Sequence, residues 1–393
     1  MWTSGRRNET RSVEGRRLRM REKKTVCVGV VGAGAISDIY LTNMIGQFDN
    51  LRVKAVSARH LERAKAKAEK YHIQACTVEA LMADPEIEMV VNLTPVGAHE
   101  GIIRQALEAG KHVYTEKTLT DHYDTALALG KLADEKNLCL GCAPDTFLGS
   151  ALQAARRAMD EGLLGEITGF SATANRDNDI LLSLFSFLRQ PGAGIMMDYA
   201  VYYLTALVSL LGPVSDAAAF VRAPFPRHQN IIPNSPEFGQ WFDAPNESEV
   251  SAILRMKSGV TGSIHINADS YPKDQANFVI LGTKGMLYLT DPNGFGGKIR
   301  FLPNSRDFSR PDSFEELADG NRYTENARGL GPSEMAEAIL RGDRSFRTEK
   351  TMPLHVLEVL QGMLKSGEDA QIHHMTTTCE IPKAFYDLPS SES

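Results

Sequence analysis

Apolar and polar positions in the first 150 residues follow the rhythm of short strands separated by helices. Val26–Val31 is a continuous apolar run, typical of a strand that is buried on both faces of a sheet. Further strands are predicted at residues 53–57, 89–94, 112–115 and 138–142. Strands that alternate with helices predict a doubly wound α/β domain with a parallel sheet over residues 25–148.

The pattern changes after about residue 148. Segments of alternating polarity follow, and turn dipeptides such as Asn293-Gly294 join several of them. These strands are predicted at residues 167–175, 214–221, 250–256, 260–268, 278–281, 286–289 and 298–302. Helices are predicted at residues 152–161, 197–211, 332–340 and 354–366, and a long loop at 224–247. Residues 149–393 are therefore predicted to form an α+β domain on an open, largely antiparallel sheet.

Composition narrows the class of protein. The chain has 393 residues, of which 42% are hydrophobic and 23% charged, as in an ordinary globular protein of two or three domains. We expect no membrane span, because no apolar run approaches the ~20 residues that a bilayer requires. Five cysteines, an odd number, argue against a secreted disulfide framework and favour a reducing cytoplasm.

Charge is distributed unevenly along the chain. Residues 1–24 contain nine Lys or Arg and three Glu, a net charge of +6, whereas the whole chain carries −6. The remaining residues therefore carry −12, and such an acidic body is not expected to bind nucleic acid. We predict that residues 1–24 are a basic, disordered extension without a part in the chemistry.

A glycine-rich turn follows the first strand and opens the first helix. Its residues are Gly32-Ala33-Gly34-Ala35-Ile36-Ser37. The first glycine permits the tight turn, the second lets the backbone approach a pyrophosphate, and the helix N-terminus favours the phosphates. Ser37 replaces the third glycine, so the context of strand and helix carries the prediction of a Rossmann dinucleotide site. The alternative is a tight turn without a ligand.

The end of the second strand bears on the choice of nucleotide. An NAD enzyme usually offers an acidic residue there to the ribose 2′-hydroxyl. This chain has Ser57 and Arg59 instead, with no Asp or Glu between residues 57 and 60. We predict that Ser57 and Arg59 hold a 2′-phosphate, which favours NADP over NAD. Arg59 can equally be a solvated loop charge.

Further motifs make a family resemblance visible over about residues 25–382. They are Asn92-Leu93-Thr94-Pro95 with His99, Tyr114-Thr115-Glu116-Lys117, and Asp198-Tyr199-Ala200-Val201-Tyr202. In order and spacing the chain resembles the glucose–fructose oxidoreductase/inositol dehydrogenase/rhizopine catabolism (Gfo/Idh/MocA) family. The resemblance implies a Rossmann domain followed by a domain whose open sheet makes homo-oligomer contacts. It also implies NAD(P)-dependent oxidation of sugars, cyclitols and related polyols, in some cases with a tightly bound cofactor.

The resemblance also implies residue roles. Glu116 would meet the nicotinamide ribose, and Lys117 would contact the cofactor and act as the catalytic lysine. Thr94, Pro95 and His99 would line the cofactor cleft.

Three departures from the family pattern stand out. Thr118 replaces the proline that follows the lysine, no arginine occurs near Asp145, and Tyr202 stands where the family has its catalytic histidine. Tyr202 is either a replacement for that histidine or an ordinary packed aromatic residue.

Oxidation of a ring alcohol removes a proton from oxygen and a hydride from carbon. We predict that Lys117 and Tyr202 share that proton and that Asp198, one helical turn before Tyr202, orients the substrate or the lysine. Burial and a cationic nicotinamide are expected to lower the pKa of Lys117. Asn175, Arg176 and Tyr203 are weaker candidates for substrate contact.

No metal site is expected. Cys139 and Cys142 form an isolated pair inside a predicted strand, without a second pair at ligand spacing.

Taken together with the family resemblance, the motifs imply an oxidoreductase that acts on a ring hydroxyl of a sugar, a glycoside (C3 of a glucoside by analogy) or an inositol. Two alternatives remain open: an NAD-dependent glycosidase that works by oxidation and elimination, and a nucleotide-binding regulator without catalysis.

Overall fold

The computed structural model describes residues 24–270, 277–305, 313–317 and 322–385. The basic segment predicted at residues 1–24 lies outside them except for Lys24. The helices are α1 Ser37–Gly46, α2 Leu61–Tyr71, α3 Val78–Ala83, α4 His99–Glu108, α5 Tyr123–Glu135, α6 Ser150–Asp160, α7 Asn178–Leu184, α8 Val201–Leu211, α9 Leu330–Arg341 and α10 Thr351–Asp369. The strands are β1 Val26–Val31, β2 Leu51–Ser57, β3 Gln74–Cys76, β4 Met89–Asn92, β5 His112–Thr115, β6 Leu140–Cys142, β7 Ile167–Asn175, β8 Val214–Arg222, β9 Arg227–Gln229, β10 Trp241–Asp243, β11 Glu249–Met256, β12 Thr261–Asn267, β13 Asn277–Gly282, β14 Gly285–Leu289, β15 Ile299–Pro303, β16 Glu315–Leu317 and β17 His373–His374.

The first sheet is parallel and has the order β3-β2-β1-β4-β5-β6. Every residue of β1 is buried, as its unbroken apolar run predicts. Gly29 within β1 leaves room for Leu81, since a Cβ there would lie 2.8 Å from the leucine side chain. The chain order reverses between β1 and β4, and in such sheets ligands bind at the carboxyl ends of the strands beside this reversal. The predicted Rossmann sheet is confirmed.

The second sheet has the order β16-β15-β14-β13-β7-β12-β11-β8-β17 in the described residues. Its neighbours are antiparallel except β7 and β12, which run parallel. The prediction of an open, largely antiparallel sheet is therefore confirmed. Helices α8 and α10 pack together, and α10 lies against β8.

The long loop predicted at residues 224–247 is only partly a loop. Strands β9 and β10 pair antiparallel, with His228 opposite Phe242. Leu182, Leu188 and Ala244 form a small core of their own beneath this hairpin. The strands escaped prediction because each has three residues and alternates too briefly to show a period.

The segment over residues 330–350 packs against the first domain. Helix α9 packs against β1, β5 and β6, and Glu349 bridges to Gly141 of β6 in antiparallel fashion. The predicted division at residue 148 therefore describes the order along the sequence, whereas residues 330–350 lie spatially with the Rossmann sheet. No helix in the described ranges is both long enough and apolar enough to cross a bilayer.

Candidate active site

The glycine-rich turn has the form that a dinucleotide requires. Gly32 has φ +119°, and a Cβ there would lie 2.5 Å from the carbonyl oxygen of Leu93. Gly34 is exposed, and a Cβ there would meet nothing within 4 Å. Within the described residues, the backbone amides of residues 33–36 have no hydrogen-bond partner, so they are available to an anion at the start of α1.

The end of β2 presents one of the two predicted phosphate contacts to solvent. Arg59 is exposed and makes no ion pair in the described part of the chain. Ser57 is 0% exposed, and its Oγ is buried without a hydrogen-bond partner there. Of the two residues, Arg59 is therefore accessible to a ribose phosphate in this arrangement and Ser57 is not.

The turn after β4 is tied to the loop after β5 by His99. Its Nε2 lies 2.8 Å from the carbonyl oxygen of Thr94, and its Nδ1 lies 2.7 Å from that of Thr118. His99 is 0% exposed, and burial lowers its pKa. The expectation that His99 lines the cleft needs correction, because the imidazole lies behind the wall and holds two loops together. Pro95 is exposed and Thr94 half-buried, so both side chains are accessible to solvent.

Glu116 and Lys117 leave the carboxyl end of β5 in the direction of the second domain. Glu116 accepts a hydrogen bond from the Tyr40 hydroxyl (2.7 Å) and one from the Lys117 amide (3.0 Å). The Lys117 ammonium donates to Asp198, at 2.6 Å to Oδ1 and 2.7 Å to the carbonyl oxygen. An ion pair thus joins a residue of the first domain to a residue of the second.

A π-helical turn over Met196–Ala200 carries Asp198 and continues into α8. The backbone amide of Met196 donates to the carboxylate of Glu247 at 3.1 Å. Gly194 leaves space for that carboxylate, since a Cβ there would lie 2.1 Å from it. Asp198 and Tyr202 are four residues apart, a spacing that predicts one shared face of a regular α-helix. In the structure Asp198 lies in the π-helical turn and Tyr202 in α8, so they do not share such a face.

Tyr202 presents its ring to the lysine and its hydroxyl to an arginine that sequence reasoning missed. The Lys117 Nζ lies 5.4 Å from the ring centroid. Nη2 of Arg328 donates to the Tyr202 oxygen at 3.4 Å and to Oδ1 of Asn293 at 2.7 Å. Arg328 follows a segment without regular periodicity, so no pattern in the sequence pointed to it.

Residues in other elements hold Arg328 in place. Asn43 of α1 donates to the carbonyl oxygen of Arg328 at 2.9 Å. The carboxylate of Asp145, at the domain junction, accepts from the amides of Gly329 (3.2 Å) and Gly331 (3.0 Å) at the start of α9. Burial raises the pKa of Asp145 to about 6.

The three weaker substrate candidates have different placements. Arg176 stacks on the Tyr199 ring with its guanidinium carbon 3.7 Å from the centroid, and Tyr199 donates to Asp291 at 2.6 Å. Asn175 is the last residue of β7 and is half-buried, and Arg176 follows directly after the strand. Tyr203 is 0% exposed and packs on Phe278 at 5.4 Å, which corrects its assignment as a substrate contact.

The pKa of Lys117 is shifted in the direction opposite to the one expected from the sequence. Burial alone would lower the pKa of Lys117, but the charges of Asp198, Tyr202 and Glu116 outweigh burial and the pKa is raised. Burial raises the pKa of Tyr202 more than Lys117 and Arg328 lower it. The prediction of a lowered lysine pKa was wrong for this arrangement, because the sequence did not show that the Asp198 carboxylate contacts the ammonium.

Two family models match the chain. The model described as "Oxidoreductase family, NAD-binding Rossmann fold" matches residues 26–143, and the "GFO/IDH/MocA C-terminal domain" matches residues 152–288. The chain belongs to the Gfo/Idh/MocA oxidoreductase family. The family resemblance inferred from the motifs is thereby confirmed, and so is an NAD-binding type of first domain.

Two bacterial relatives carry the names of inositol dehydrogenases. The scyllo-inositol 2-dehydrogenase (NADP(+)) of Bacillus subtilis is 24% identical over 206 residues, 52% of this chain and 56% of that protein. Inositol 2-dehydrogenase of Rhizobium meliloti is 28% identical over 196 residues, 49% of this chain and 58% of that protein. The chain spans about half the length of the curated relatives it matches.

Solved structures of dehydrogenases share this fold over most of the chain. Levoglucosan dehydrogenase in complex with NADH matches with a TM-score of 0.77 and 19% identity, over 90% of this chain and 100% of that chain. At 19% identity this similarity establishes the fold alone.

One departure from the family pattern, the threonine after Lys117, lies inside the protein. Thr118 is buried, with its hydroxyl donating to the carbonyl oxygen of Thr120 at 2.7 Å.

No group of three or more His, Cys, Asp or Glu side chains in the described ranges is arranged to hold a metal ion. Cys142 is buried, and burial raises its pKa.

Proposed function

We propose that this family member is an NAD(P)-dependent dehydrogenase of a ring hydroxyl in a sugar, glycoside or inositol, with C3 of a glucoside as one candidate position. The single observation that carries the proposal is the Lys117–Asp198 ion pair beside Tyr202. These groups meet between the two domains, at the carboxyl end of β5, where doubly wound sheets bind their ligands.

The residues around the glycine turn fit a dinucleotide. The amides of residues 33–36 would receive the pyrophosphate, and Glu116 would receive the nicotinamide ribose. Thr94 and Pro95 would form one wall. Arg59 favours NADP, because its exposed guanidinium has no carboxylate partner in the described residues and can fork onto a 2′-phosphate.

The bound nicotinamide would supply the hydride acceptor or donor. The chain's own residues supply position and proton transfer. Asp198 holds the ammonium of Lys117 at a fixed point, and Lys117 or Tyr202 exchanges a proton with the substrate oxygen. The raised pKa values keep both groups protonated at neutral pH, so either can donate the proton in reduction and take it back in oxidation.

The first experiment identifies by mass any nucleotide released from the denatured protein, followed by titration with NAD and NADP. Recovery of either nucleotide, or binding in the titration, supports the proposal; failure of both to bind contradicts it. A panel of polyols and glycosides is then followed by NAD(P)H absorbance. Glycoside cleavage without net NAD(P)H would instead point to the glycosidase alternative, and cofactor binding without turnover to a regulator.

Exposed apolar side chains on the outer face of the second sheet support a homo-oligomer, and the free cysteines support a cytoplasmic location. Phe220 on β8 is 81% exposed, and Ile253 on the neighbouring β11 is 57% exposed. All five cysteines are free, as in a reducing compartment. Sedimentation of the wild type and of Ile253→Glu tests the assembly. A smaller species for the variant supports contact through this face, and an unchanged mass for the variant contradicts it.

A further inference from the structure

The hydrogen-bond partners of the Arg328 guanidinium are neutral groups. Besides Tyr202 and Asn293, its guanidinium donates to Oδ1 of Asn326 at 2.8 Å. No carboxylate oxygen lies within 4.0 Å of it in the described ranges. No carboxylate of the described residues neutralises its charge by direct contact, and the charge acts both on the Tyr202 phenol and, at longer range, on Glu116.

The contact excludes one direction for the proton of the Tyr202 hydroxyl. A guanidinium is a donor only, so the phenol oxygen accepts from Arg328 and its own proton must point elsewhere. The ammonium of Lys117 lies over the ring of the same tyrosine, 5.4 Å from its centroid. Two cations from different domains thus flank one phenol.

The arginine is held before any substrate arrives. Asn43 binds its carbonyl oxygen, and the Asp145 carboxylate binds the amides of Gly329 and Gly331 just after it. A side chain fixed in this way loses little additional freedom when it acts, which is the condition for preorganised electrostatics.

We propose that Arg328 is a positioning residue that turns the Tyr202 proton toward the substrate oxygen and stabilises the phenolate left when that proton is transferred. This rests on the proposed function of Tyr202. In the reduction of a ring ketone, bound NAD(P)H would supply the hydride from its own C–H bond and be oxidised, and a new C–H bond forms at the carbonyl carbon. The O–H bond of Tyr202 breaks as its proton forms an O–H bond with the substrate oxygen. The phenolate remains between Arg328 and Lys117 and regains a proton from water; oxidation runs the same steps in reverse.

The charged groups that face Tyr202 act in opposite directions. Burial and Glu116 raise the pKa of the phenol, whereas Lys117 and Arg328 lower it. Loss of Arg328 therefore removes one of the two groups that favour the phenolate, and the phenol becomes harder to ionise.

The phenol can be titrated without turnover. Incorporation of 3,5-difluorotyrosine at position 202 makes this phenol more acidic than the other tyrosines, so its absorbance reports its own ionisation. We expect Arg328→Met to move this titration to higher pH and Arg328→Lys to move it less. Arg322→Met, on the same segment but exposed and bonded to Tyr323, is the matched control and should leave it unchanged.

The pH dependence of turnover provides the second readout. We expect Arg328→Met to lower kcat by roughly 10- to 100-fold, the size expected for loss of a charged hydrogen bond, and to shift the limb that Tyr202→Phe abolishes. An unshifted titration in both Arg328 variants, with Tyr202→Phe impaired, overturns this inference alone. A fully active Tyr202→Phe removes the phenol from the proposed chemistry and overturns the inference with it, while the cofactor and Lys117 assignments stand.

Discussion

The glycine turn, proposed to bind the nucleotide, and the cleft around Lys117 and Tyr202, proposed to transfer a proton, are built in different ways. The turn uses backbone amides and missing side chains, all within residues 32–36 of one segment. The cleft uses side chains from three distant segments, represented by Lys117, Tyr202 and Arg328. Backbone sites are encoded by short local patterns, whereas side-chain sites depend on how the chain folds back on itself. The two regions should therefore respond differently to substitution.

The largest expected effect lies in the cleft. Lys117→Met removes the ammonium that contacts Asp198, and we expect kcat/KM to fall by roughly 10²- to 10⁴-fold, the contribution of a positioned acid or base. Cofactor affinity should change little if the turn and the cleft act separately. Steady-state kinetics and nucleotide titration measure both. Lys131→Met, at an exposed position, is the control, and a tenfold loss of nucleotide binding in Lys117→Met would show that the regions are coupled.

The two glycines of the turn separate folding from binding. Gly32→Ala places a Cβ 2.5 Å from the Leu93 carbonyl oxygen at φ +119°, so we expect it to cost about 1–3 kcal/mol of unfolding free energy. Gly34→Ala meets no protein atom within 4 Å and should fold normally but bind nucleotide less tightly. Thermal unfolding and nucleotide titration test the pair. Equal melting temperatures for both variants would contradict the assigned role of Gly32.

The carboxyl group of Asp145 is expected to make the free energy of unfolding depend on pH. A carboxyl with a pKa raised to about 6 binds its proton more tightly in the folded than in the unfolded protein. Its contribution to the free energy of unfolding is therefore fully present below the ordinary carboxyl range and is lost as the pH rises through about 6, by up to roughly 3 kcal/mol. Denaturant unfolding between pH 4 and 7 should show this slope in the wild type, and Asp145→Asn should lack it. A parallel slope in the variant would assign the dependence to other groups.

The smallest effect concerns nucleotide choice. Arg59→Ala should weaken NADP binding by roughly tenfold through loss of a charge-assisted contact, while NAD binding stays constant. Arg63→Ala, also exposed, is the control on the neighbouring helix. Titration with both nucleotides measures the ratio. Equal weakening of both nucleotides would place Arg59 away from the 2′ position.

The errors of sequence reasoning have a common form. Ser57 was predicted to contact a ribose phosphate from its place at the end of β2, and the family resemblance implied that His99 lines the cleft, but both side chains are 0% exposed. Tyr203, a weaker candidate for substrate contact, adjoins Tyr202, but successive helical residues point in different directions. A motif gives the position of a residue along the chain, and its side-chain direction depends on the packing around it.

The sequence by itself determined the elements that local physics specifies. The apolar run of β1, the turn at Gly32 and the alternation of strands and helices follow from burial on two faces, a positive φ and hydrophobic periodicity. Tertiary structure alone decided the meeting of Lys117 with Asp198 and the place of Arg328. These contacts join segments 81 and 126 residues apart, and no local energetic preference specifies such pairs. Packing of α9 and the segment before it onto the Rossmann domain brings the arginine to the tyrosine.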